Sequence, residues 1–247
     1  VQALFTTARS FFGGPAEHKR RCAYRAAEEN FGYQGVGVEA LDPERPADLK
    51  ETFTMRDLMS ANLEEARWPD AEFKSTAMAF YETALRVSQR LQRLLALALD
   101  VEPDFFVARH GGENITLRLL HYPPVAGEIE AEQLGAGAHT DYGMLTLLFQ
   151  SGVGGLQVRS DDGTWHDVPP RPHAIVINAG DLLEVWSNGR YRSTEHRVLP
   201  QCSDEPRYSV ALFVVPVSAT HVDALASCMD DGKPARFAAT TAGAHLQ

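Results

Sequence analysis

Cysteine is scarce in this chain, and long apolar runs are missing from it. Only three cysteines occur among 247 residues, and none belongs to a Cys-x-x-Cys pair of the kind used for zinc or dithiol chemistry. No apolar run reaches the roughly 18 residues that a membrane helix needs. The first residues, VQALFTTARSFFGG, lack the charged segment and cleavage site of a signal peptide. We therefore expect a cytoplasmic protein that does not associate with membranes.

Basic clusters are also missing. The 23 Lys and Arg residues are outnumbered by 33 Asp and Glu, which gives a formal net charge of -10. Nucleic-acid binding requires a concentrated basic face, so a small soluble molecule is the expected partner. A chain of 247 residues that is 44% hydrophobic is long enough to bury one core. We predict a single domain over residues 1–247.

The first half of the chain shows helical periodicity separated by an irregular segment. Residues 1–12 are compatible with a short helix that ends at the Gly13-Gly14-Pro15 sequence. Gly and Pro between about 30 and 71 predict loops around one short helix, which could form a mobile wall over a pocket. Apolar residues at alternating three- and four-residue steps then predict a core-packing helix. They are Ala77, Phe80, Ala84, Val87, Leu91, Leu94 and Ala98.

After Pro103 the pattern changes to short β-like runs. They are ITLRLLHY, MLTLLF, GLQV, AIVIN, DLLEVW and YSVALFVV. Such runs, separated by turn residues, are typical of an antiparallel sandwich or barrel. Asn188-Gly189 predicts a hairpin turn. Strands do not alternate with long helices, which argues against a doubly wound parallel sheet.

Three residues in this β-rich part form a possible metal site. His139 and Asp141 lie two positions apart, so an extended backbone directs both side chains to one side. His196, at the end of a strand-like run, follows 55 positions after Asp141 and can return beside the pair in an antiparallel barrel. Two imidazoles and one carboxylate are the ligands of non-haem Fe(II) oxygenases. Taken alone, a His-x-Asp pair is more often a surface or hydrogen-bonded pair.

A carboxylate-binding pair follows the third possible ligand. Arg207 and Ser209 come eleven and thirteen positions after His196, and a strand would place them on one face. A guanidinium fork and a hydroxyl are suited to binding a carboxylate. The order and spacing of the two groups therefore favour an iron site with a neighbouring anion site.

Residues 115–216 resemble the isopenicillin N synthase-like branch of the Fe(II)- and 2-oxoglutarate-dependent oxygenases. The matching segments are LRLLHYPP, His-Thr-Asp at 139–141, GGLQV at 154–158, NAGDLLEVWSNGRYRSTEHRV at 178–198 and RYS at 207–209. The resemblance implies a mainly β fold with flanking helices, a distorted jelly-roll barrel known as the double-stranded β-helix. It implies a mostly helical N-terminal part and lid (1–110), a jelly-roll core (111–220) and a C-terminal extension (221–247). The family usually opens with a strand and a glycine-aromatic segment, so we expect the N-terminus to be incomplete.

The resemblance also implies roles for individual residues. His139, Asp141 and His196 are the expected catalytic Fe(II) ligands, and Arg207, Ser209 and Tyr122 are expected to bind the distal carboxylate of 2-oxoglutarate. Asn178 is a further co-substrate candidate, although it could instead shape the turn that follows it. Plant members often carry Asn where Leu120 stands, so that polar contact is expected to be lost or replaced. The possible substrate contacts are Arg118, Leu145 and Phe213.

The implied activity is oxidation of a small organic substrate by O2, with release of succinate and CO2. Hydroxylation is the default outcome, and ascorbate is an expected activator in vitro. Substrate identity and the choice among hydroxylation, desaturation, cyclisation and demethylation are not encoded in these motifs. One alternative is a 2-oxoglutarate-independent oxidase or oxidative cyclase of the same fold. Another is a non-catalytic small-molecule binding module. A monomer is the default expectation.

Overall fold

The computed structural model describes residues 1–42, 44–60, 63–125, 129, 132–230 and 232–246. Its helices are α1 (Gln2–Phe12), α2 (Ala16–Arg21), α3 (Ala71–Ala98), α4 (Asp181–Trp186) and α5 (Ala242–His245). Its strands are β1 (Phe31–Gln34), β2 (Glu51–Arg56), β3 (Thr116–Tyr122), β4 (Ala136–His139), β5 (Leu145–Gln150), β6 (Leu156–Arg159), β7 (Trp165–Asp167), β8 (Val176–Ala179), β9 (His196–Val198), β10 (Arg207–Val214), β11 (His221–Val222) and β12 (Thr240–Thr241). None of the helices in these ranges is long and apolar enough to cross a membrane.

Two antiparallel sheets form the centre of the fold. The major sheet has the order β1-β2-β3-β10-β5-β8, and the minor sheet has the order β4-β9-β6-β7. Strands that are distant in sequence are neighbours in both sheets, as in a jelly roll. The prediction of a mainly β jelly roll with flanking helices is confirmed. The C-terminal strands β11 and β12 pair separately from both sheets.

Helix α3 packs beside α1 and against β10 of the major sheet. It begins at the cap residue Asp70, whose carboxylate accepts a hydrogen bond from the Phe73 backbone N–H at 2.7 Å. The predicted buried face is correct over its first half. It is wrong at Leu94, which is 61% exposed, and at Ala98, which is also exposed. From Ala84 onward the buried face advances in steps of four, so the later buried positions are Ser88, Gln92 and Ala96.

The segment predicted to form loops contributes two strands to the major sheet. Strand β2 pairs with β3 and β1 pairs with β2, so the predicted division at residue 110 does not separate a helical part from the sheet. The inner side chains of β2 include Thr52 and Thr54, which hydrogen-bond to the side chain of Arg118. Because this buried strand carries polar residues, it lacks the apolar signal expected of a core strand. Residues 43, 61 and 62 of the predicted lid lie outside the described ranges.

The apolar run DLLEVW forms α4 instead of the predicted strand, and Asn188-Gly189 ends this helix instead of forming a hairpin. The backbone N–H of Gly189 donates to the Glu184 carbonyl at 2.9 Å, and both turn residues have positive φ angles, 52° and 82°. This is the left-handed conformation in which helices commonly end. A Cβ atom on Gly180, at the start of α4, would lie 2.3 Å from the Gly143 carbonyl oxygen, so only glycine fits there.

Buried His110 makes stability depend on pH. Its Nδ1 donates to the Phe106 carbonyl at 2.6 Å, its Nε2 has no partner among the described residues, and burial lowers its pKa to about 4. The unfolded chain, with an ordinary histidine pKa of about 6.5, binds this proton more readily. The contribution of neutral His110 to the free energy of unfolding is therefore complete above about pH 6.5. It decreases by up to about 3 kcal/mol as the pH falls toward 4. Urea unfolding at pH 7.5 and 4.5 should show a smaller loss for His110→Gln than for the wild type. An equal loss would contradict this assignment.

Candidate metal and co-substrate site

A cavity of ≈ 660 Å³ opens between the two sheets. Alternate residues of the major-sheet strands point into it, including Arg118, Leu120 and Tyr122 from β3 and Ser209 and Ala211 from β10. His139 and His196 contribute from the minor sheet. Both candidate groups, the metal ligands and the carboxylate-binding pair, thus face the same cavity.

The two histidines are brought together by strand pairing. His139 ends β4 and His196 begins β9, and the two residues are direct partners in the antiparallel register. Their ring centroids are 4.3 Å apart. The Nδ1 atom of His139 hydrogen-bonds to the Gly137 carbonyl at 2.7 Å, and that of His196 to the Thr194 carbonyl at 3.0 Å. Because Nδ1 donates in both rings, both Nε2 atoms keep a lone pair for a metal ion.

Asp141 completes the cluster. Its Oδ1 lies 4.0 Å from the Nε2 of His139 and 3.8 Å from the Nε2 of His196. The possible ligand atoms all lie within 4.8 Å of one another. Two imidazoles and one carboxylate arranged in this way are the donor set of a non-haem Fe(II) site with open positions for further ligands.

The protonation state of His139 suits metal binding. Burial, followed by the neighbouring His196, lowers the pKa of His139 to about 4. The imidazole is consequently neutral across the neutral pH range. A protonated ring cannot bind a metal, so this shift favours ligation.

Two uncharged side chains orient the Asp141 carboxylate. Its Oδ2 accepts hydrogen bonds from the Thr146 hydroxyl at 2.6 Å and the Asn178 amide at 2.8 Å. Thr146 and Asn178 are direct partners across β5 and β8, so the pair forms one rigid support. With Oδ2 held in this way, Oδ1 is directed toward the two imidazoles. The structure therefore places Asn178 at the cavity through its contact with a possible ligand.

We expect Thr146→Val to weaken Fe(II) binding about 10- to 100-fold, the usual effect of losing a partner that orients a metal ligand. Valine preserves the shape of threonine, so the change removes mainly the hydroxyl. Anaerobic Fe(II) titration measures the effect. Thr146→Ser keeps the hydroxyl and is the matched control, which should bind iron like the wild type. Equal affinity of the Val and Ser variants would show that the hydroxyl does not position Asp141.

The second group centres on Arg207, which is 1% exposed. Its Nη1 donates to the Ser209 hydroxyl and its Nη2 to the Gln150 side chain, both at 3.2 Å. Its guanidinium carbon lies 4.8 Å from the ring centroid of Tyr122. Its Nε has no partner, and no carboxylate among the described residues pairs with it. Burial lowers the pKa of Arg207. A buried guanidinium with neutral neighbours fits an anionic group in the cavity.

The other predicted residues divide between the cavity and the core. Leu120 is the strand partner of Ser209 and offers it an apolar neighbour. Arg118 and Phe213 line the cavity as predicted, but Leu145 does not. The side chain of Leu145 belongs to the main hydrophobic core, and its neighbour Thr146 has the inward orientation. The prediction for Leu145 was therefore wrong by one position, because neighbouring residues of a strand face opposite sides of the sheet.

Several cavity residues were not predicted. Thr146 lines the cavity from β5, and it is the only polar residue within the MLTLLF run, which could have indicated its role. Gln150, further along β5, accepts a hydrogen bond from Arg207. Glu39 and Lys50 line the cavity from the segment that precedes β2. No spacing in the sequence connects these two residues with the metal ligands.

Comparisons with known proteins agree with this donor set. Residues 106–216 match the 2OG-Fe(II) oxygenase superfamily, and residues 1–71 match the family described as non-haem dioxygenase in morphine synthesis N-terminal. A 2-oxoglutarate-Fe(II) type oxidoreductase of Aspergillus fumigatus is 34% identical over 96% of this chain and 75% of its own length. A 1-aminocyclopropane-1-carboxylate oxidase of Cucumis melo is 37% identical over 82% of this chain and 64% of its own.

Solved structures show the same similarity over nearly the whole chain. Neurospora crassa T7H, crystallised with alpha-KG, matches with a TM-score of 0.86 and 32% identity, covering 99% of this chain and 80% of its own. JOX2 in complex with 2OG, Fe and JA matches with a TM-score of 0.82 and 29% identity, covering 98% of this chain and 71% of its own.

Proposed function

Because the chain belongs to the 2OG-Fe(II) oxygenase superfamily, we propose that His139, Asp141 and His196 hold its Fe(II) and that the chain lies in the isopenicillin N synthase-like branch. It is a 2-oxoglutarate-dependent oxygenase that oxidises a small organic substrate and releases succinate and CO2. The branch assignment is supported by the match at residues 1–71 and by the similarity to the melon oxidase. Cytoplasmic location and monomeric state remain predictions.

One observation carries the assignment of roles. The three possible metal ligands and the buried Arg207, which has no acid partner in the described part of the chain, face the same cavity. A dicarboxylate can therefore reach the metal with one end and the guanidinium with the other. We assign Arg207, Ser209 and Tyr122 to the distal carboxylate of 2-oxoglutarate.

The bound iron would supply the activation of O2 that is coupled to decarboxylation of 2-oxoglutarate. The protein's own residues orient and shield this chemistry. Thr146 and Asn178 hold Asp141, and the two backbone carbonyls hold the imidazoles. Arg118 and Phe213 are assigned to the substrate end of the cavity. The T7H structure with thymine supports a small-molecule substrate in this fold.

The test is succinate formation from 2-oxoglutarate under air, with Fe(II) and ascorbate, with and without a panel of small carboxylated compounds. Succinate formation that a compound stimulates is the expected result. Absence of turnover despite tight Fe(II) binding would instead favour the 2-oxoglutarate-independent oxidase. A protein that bound a small molecule but no Fe(II) would be a non-catalytic binding module.

A further inference from the structure

A second arginine faces the cavity at a distance from the first. Arg118 lies on β3 opposite Ala211 of β10, whereas Arg207 lies opposite Tyr122, four residues further along β3. Four residues of strand span about 13 Å. A carboxylate held by Arg207 therefore leaves Arg118 free to meet another molecule.

The position of Arg118 relative to the metal ligands suits a small substrate. β3 is separated by β10 from β5, whose Thr146 supports Asp141. The separation is about 10 Å across the sheet and about 7 Å along it, because Leu148, not Thr146, is level with Arg118; a small ring compound with a substituent fits this gap. A molecule bound to Arg118 would thus extend toward the metal centre along the inner face of the major sheet.

The Arg118 guanidinium is held rigidly by the protein. Its Nε donates to the Thr54 hydroxyl and its Nη2 to the Thr52 hydroxyl, both at 3.2 Å. Nη2 also donates to Glu39. The Nη1 group makes no hydrogen bond to the described residues, and the side chain, 16% exposed, lines the cavity. Two oriented N–H donors therefore remain for a ligand, with little side-chain entropy left to lose on binding.

The charge of Arg118 is already balanced within the protein. Glu39 pairs with both Arg118 and Lys50, and Lys50 also pairs with Asp48. Lys50 also lines the cavity, but its ammonium group is engaged by both Glu39 and Asp48. The four groups are formally neutral together. A ligand on Arg118 consequently does not need a negative charge, and a neutral carbonyl can serve as well as a carboxylate.

The same network reaches the metal centre. Asp48 Oδ1 accepts a hydrogen bond from the Gly137 backbone N–H at 2.8 Å, and the Gly137 carbonyl accepts from Nδ1 of His139 at 2.7 Å. The segment before β2, which carries Glu39 and Lys50, is thereby fixed to β4, which carries the possible metal ligand His139. This continuity keeps the Arg118 donors at a constant position relative to the iron site.

We propose that Arg118 is a specificity-determining residue that binds an acceptor oxygen of the substrate, in a carbonyl or carboxylate group, and that Glu39 positions it. The proposal rests on the proposed function. It predicts that substrates are small molecules with a planar oxygen-bearing group at one end and the oxidised carbon at the other. A cationic substrate end is excluded there, because it would meet the free Nη1 group.

The test uses the Fe(II) protein with 2-oxoglutarate under anaerobic conditions, where substrate binding perturbs the visible charge-transfer absorption. The probes are small aromatic and alicyclic compounds, each supplied as a carboxylate, a primary amide and the hydrocarbon parent. We expect carboxylates or amides, but not the parents, to bind the wild type. Arg118→Gln should raise the dissociation constant at least tenfold, and Arg118→Lys should give an intermediate value. Arg93→Gln, an exposed arginine on α3, is the matched control.

The outcomes separate the two proposals. The wild type with Fe(II) and 2-oxoglutarate, but without a probe, should show the charge-transfer absorption band. This band tests the iron and 2-oxoglutarate assignments alone. Selective binding of carboxylates would define an anion subsite, and binding of amides as well would define a carbonyl subsite; both support the proposal. It would be overturned if the hydrocarbon parents bound as tightly, if no oxygenated probe bound, or if Arg118→Gln kept wild-type affinity.

The positioning role of Glu39 has its own readout. Glu39→Gln should reduce the preference for oxygenated probes over their parents several-fold in the wild-type background. In the Arg118→Gln background the same change should have no further effect, because the group that Glu39 positions is gone. A purely structural role would instead weaken all probes equally in both backgrounds, and that result would contradict the positioning role.

Discussion

An Asp141→Ala variant is expected to lose Fe(II) affinity and turnover together, by at least about 100-fold. Removing a group that merely orients a ligand already costs about 10- to 100-fold in metal affinity. Asp141 supplies the carboxylate itself, with Oδ1 facing both Nε2 atoms. The two histidines that remain cannot form the three-ligand face. Anaerobic Fe(II) titration and succinate formation measure the two losses separately.

Thermal unfolding distinguishes loss of the ligand from loss of the fold. Fe(II) binds only the folded state of the wild type and should raise its Tm, whereas it should leave the Tm of Asp141→Ala unchanged. Asp104→Ala changes an exposed carboxylate that pairs with Arg93, so it serves as the control and should behave like the wild type. Succinate formation at the wild-type rate by Asp141→Ala would remove Asp141 from the metal site.

The metal cluster could be predicted because each ligand lies in a recognisable local pattern. His139 and Asp141 are two residues apart, and His196 lies within a run of residues that resembles the family. The sequence does not show that His139 and His196 are direct strand partners, because this register is set by the pairing of β4 with β9. Their hydrogen bonds to backbone carbonyls also depend on that three-dimensional arrangement.

The predictions failed where local pattern and tertiary environment disagree. Strand β2 is buried yet polar, because Thr52 and Thr54 face the Arg118 network. The DLLEVW run is apolar and short, a case in which periodicity cannot separate a strand from a buried helix. Here Gly180, which packs against the Gly143 backbone, starts the helix.

The error at Leu145 has a related cause. Strand β5 is buried on both faces, so its sequence lacks the alternation that would reveal which residues face the cavity. The phase becomes visible only in the folded structure, where the Thr146 hydroxyl hydrogen-bonds to Asp141 in the cavity. The acidic and basic residues Glu39 and Lys50 were missed for another reason. Glu39 pairs with the distant Arg118 on β3, and the local Asp48–Lys50 pair does not differ in sequence from an ordinary surface ion pair, so no spacing marks these residues as cavity residues.

An Arg207→Met variant is expected to bind 2-oxoglutarate about 100-fold more weakly while remaining at least as stable as the wild type without ligand. A hydrogen bond to a charged group contributes about 1.5–3 kcal/mol, and loss of roughly 3 kcal/mol corresponds to about 100-fold in affinity. The titration of 2-oxoglutarate into the anaerobic Fe(II) protein, followed by its charge-transfer absorption, measures this change. Arg86→Met, on the exposed side of α3, is the control.

The stability of the ligand-free variant carries the stronger test, because its expected sign is opposite to the usual effect of a core mutation. Arg207 is buried, and among the residues that the structure describes its Nε is unpaired and its hydrogen-bond partners are neutral, so the folded protein bears the desolvation cost of a cation. Methionine removes that cost at similar length, and urea unfolding should show an unchanged or higher free energy of unfolding. Arg207→Lys keeps the positive charge but loses the paired N–H donors of the guanidinium group. It should therefore bind 2-oxoglutarate at an intermediate affinity without gaining stability. A destabilised Met variant would mean that Arg207 maintains the sheet, whereas a stable variant that no longer binds 2-oxoglutarate would mean that the protein retains this buried cation for its co-substrate.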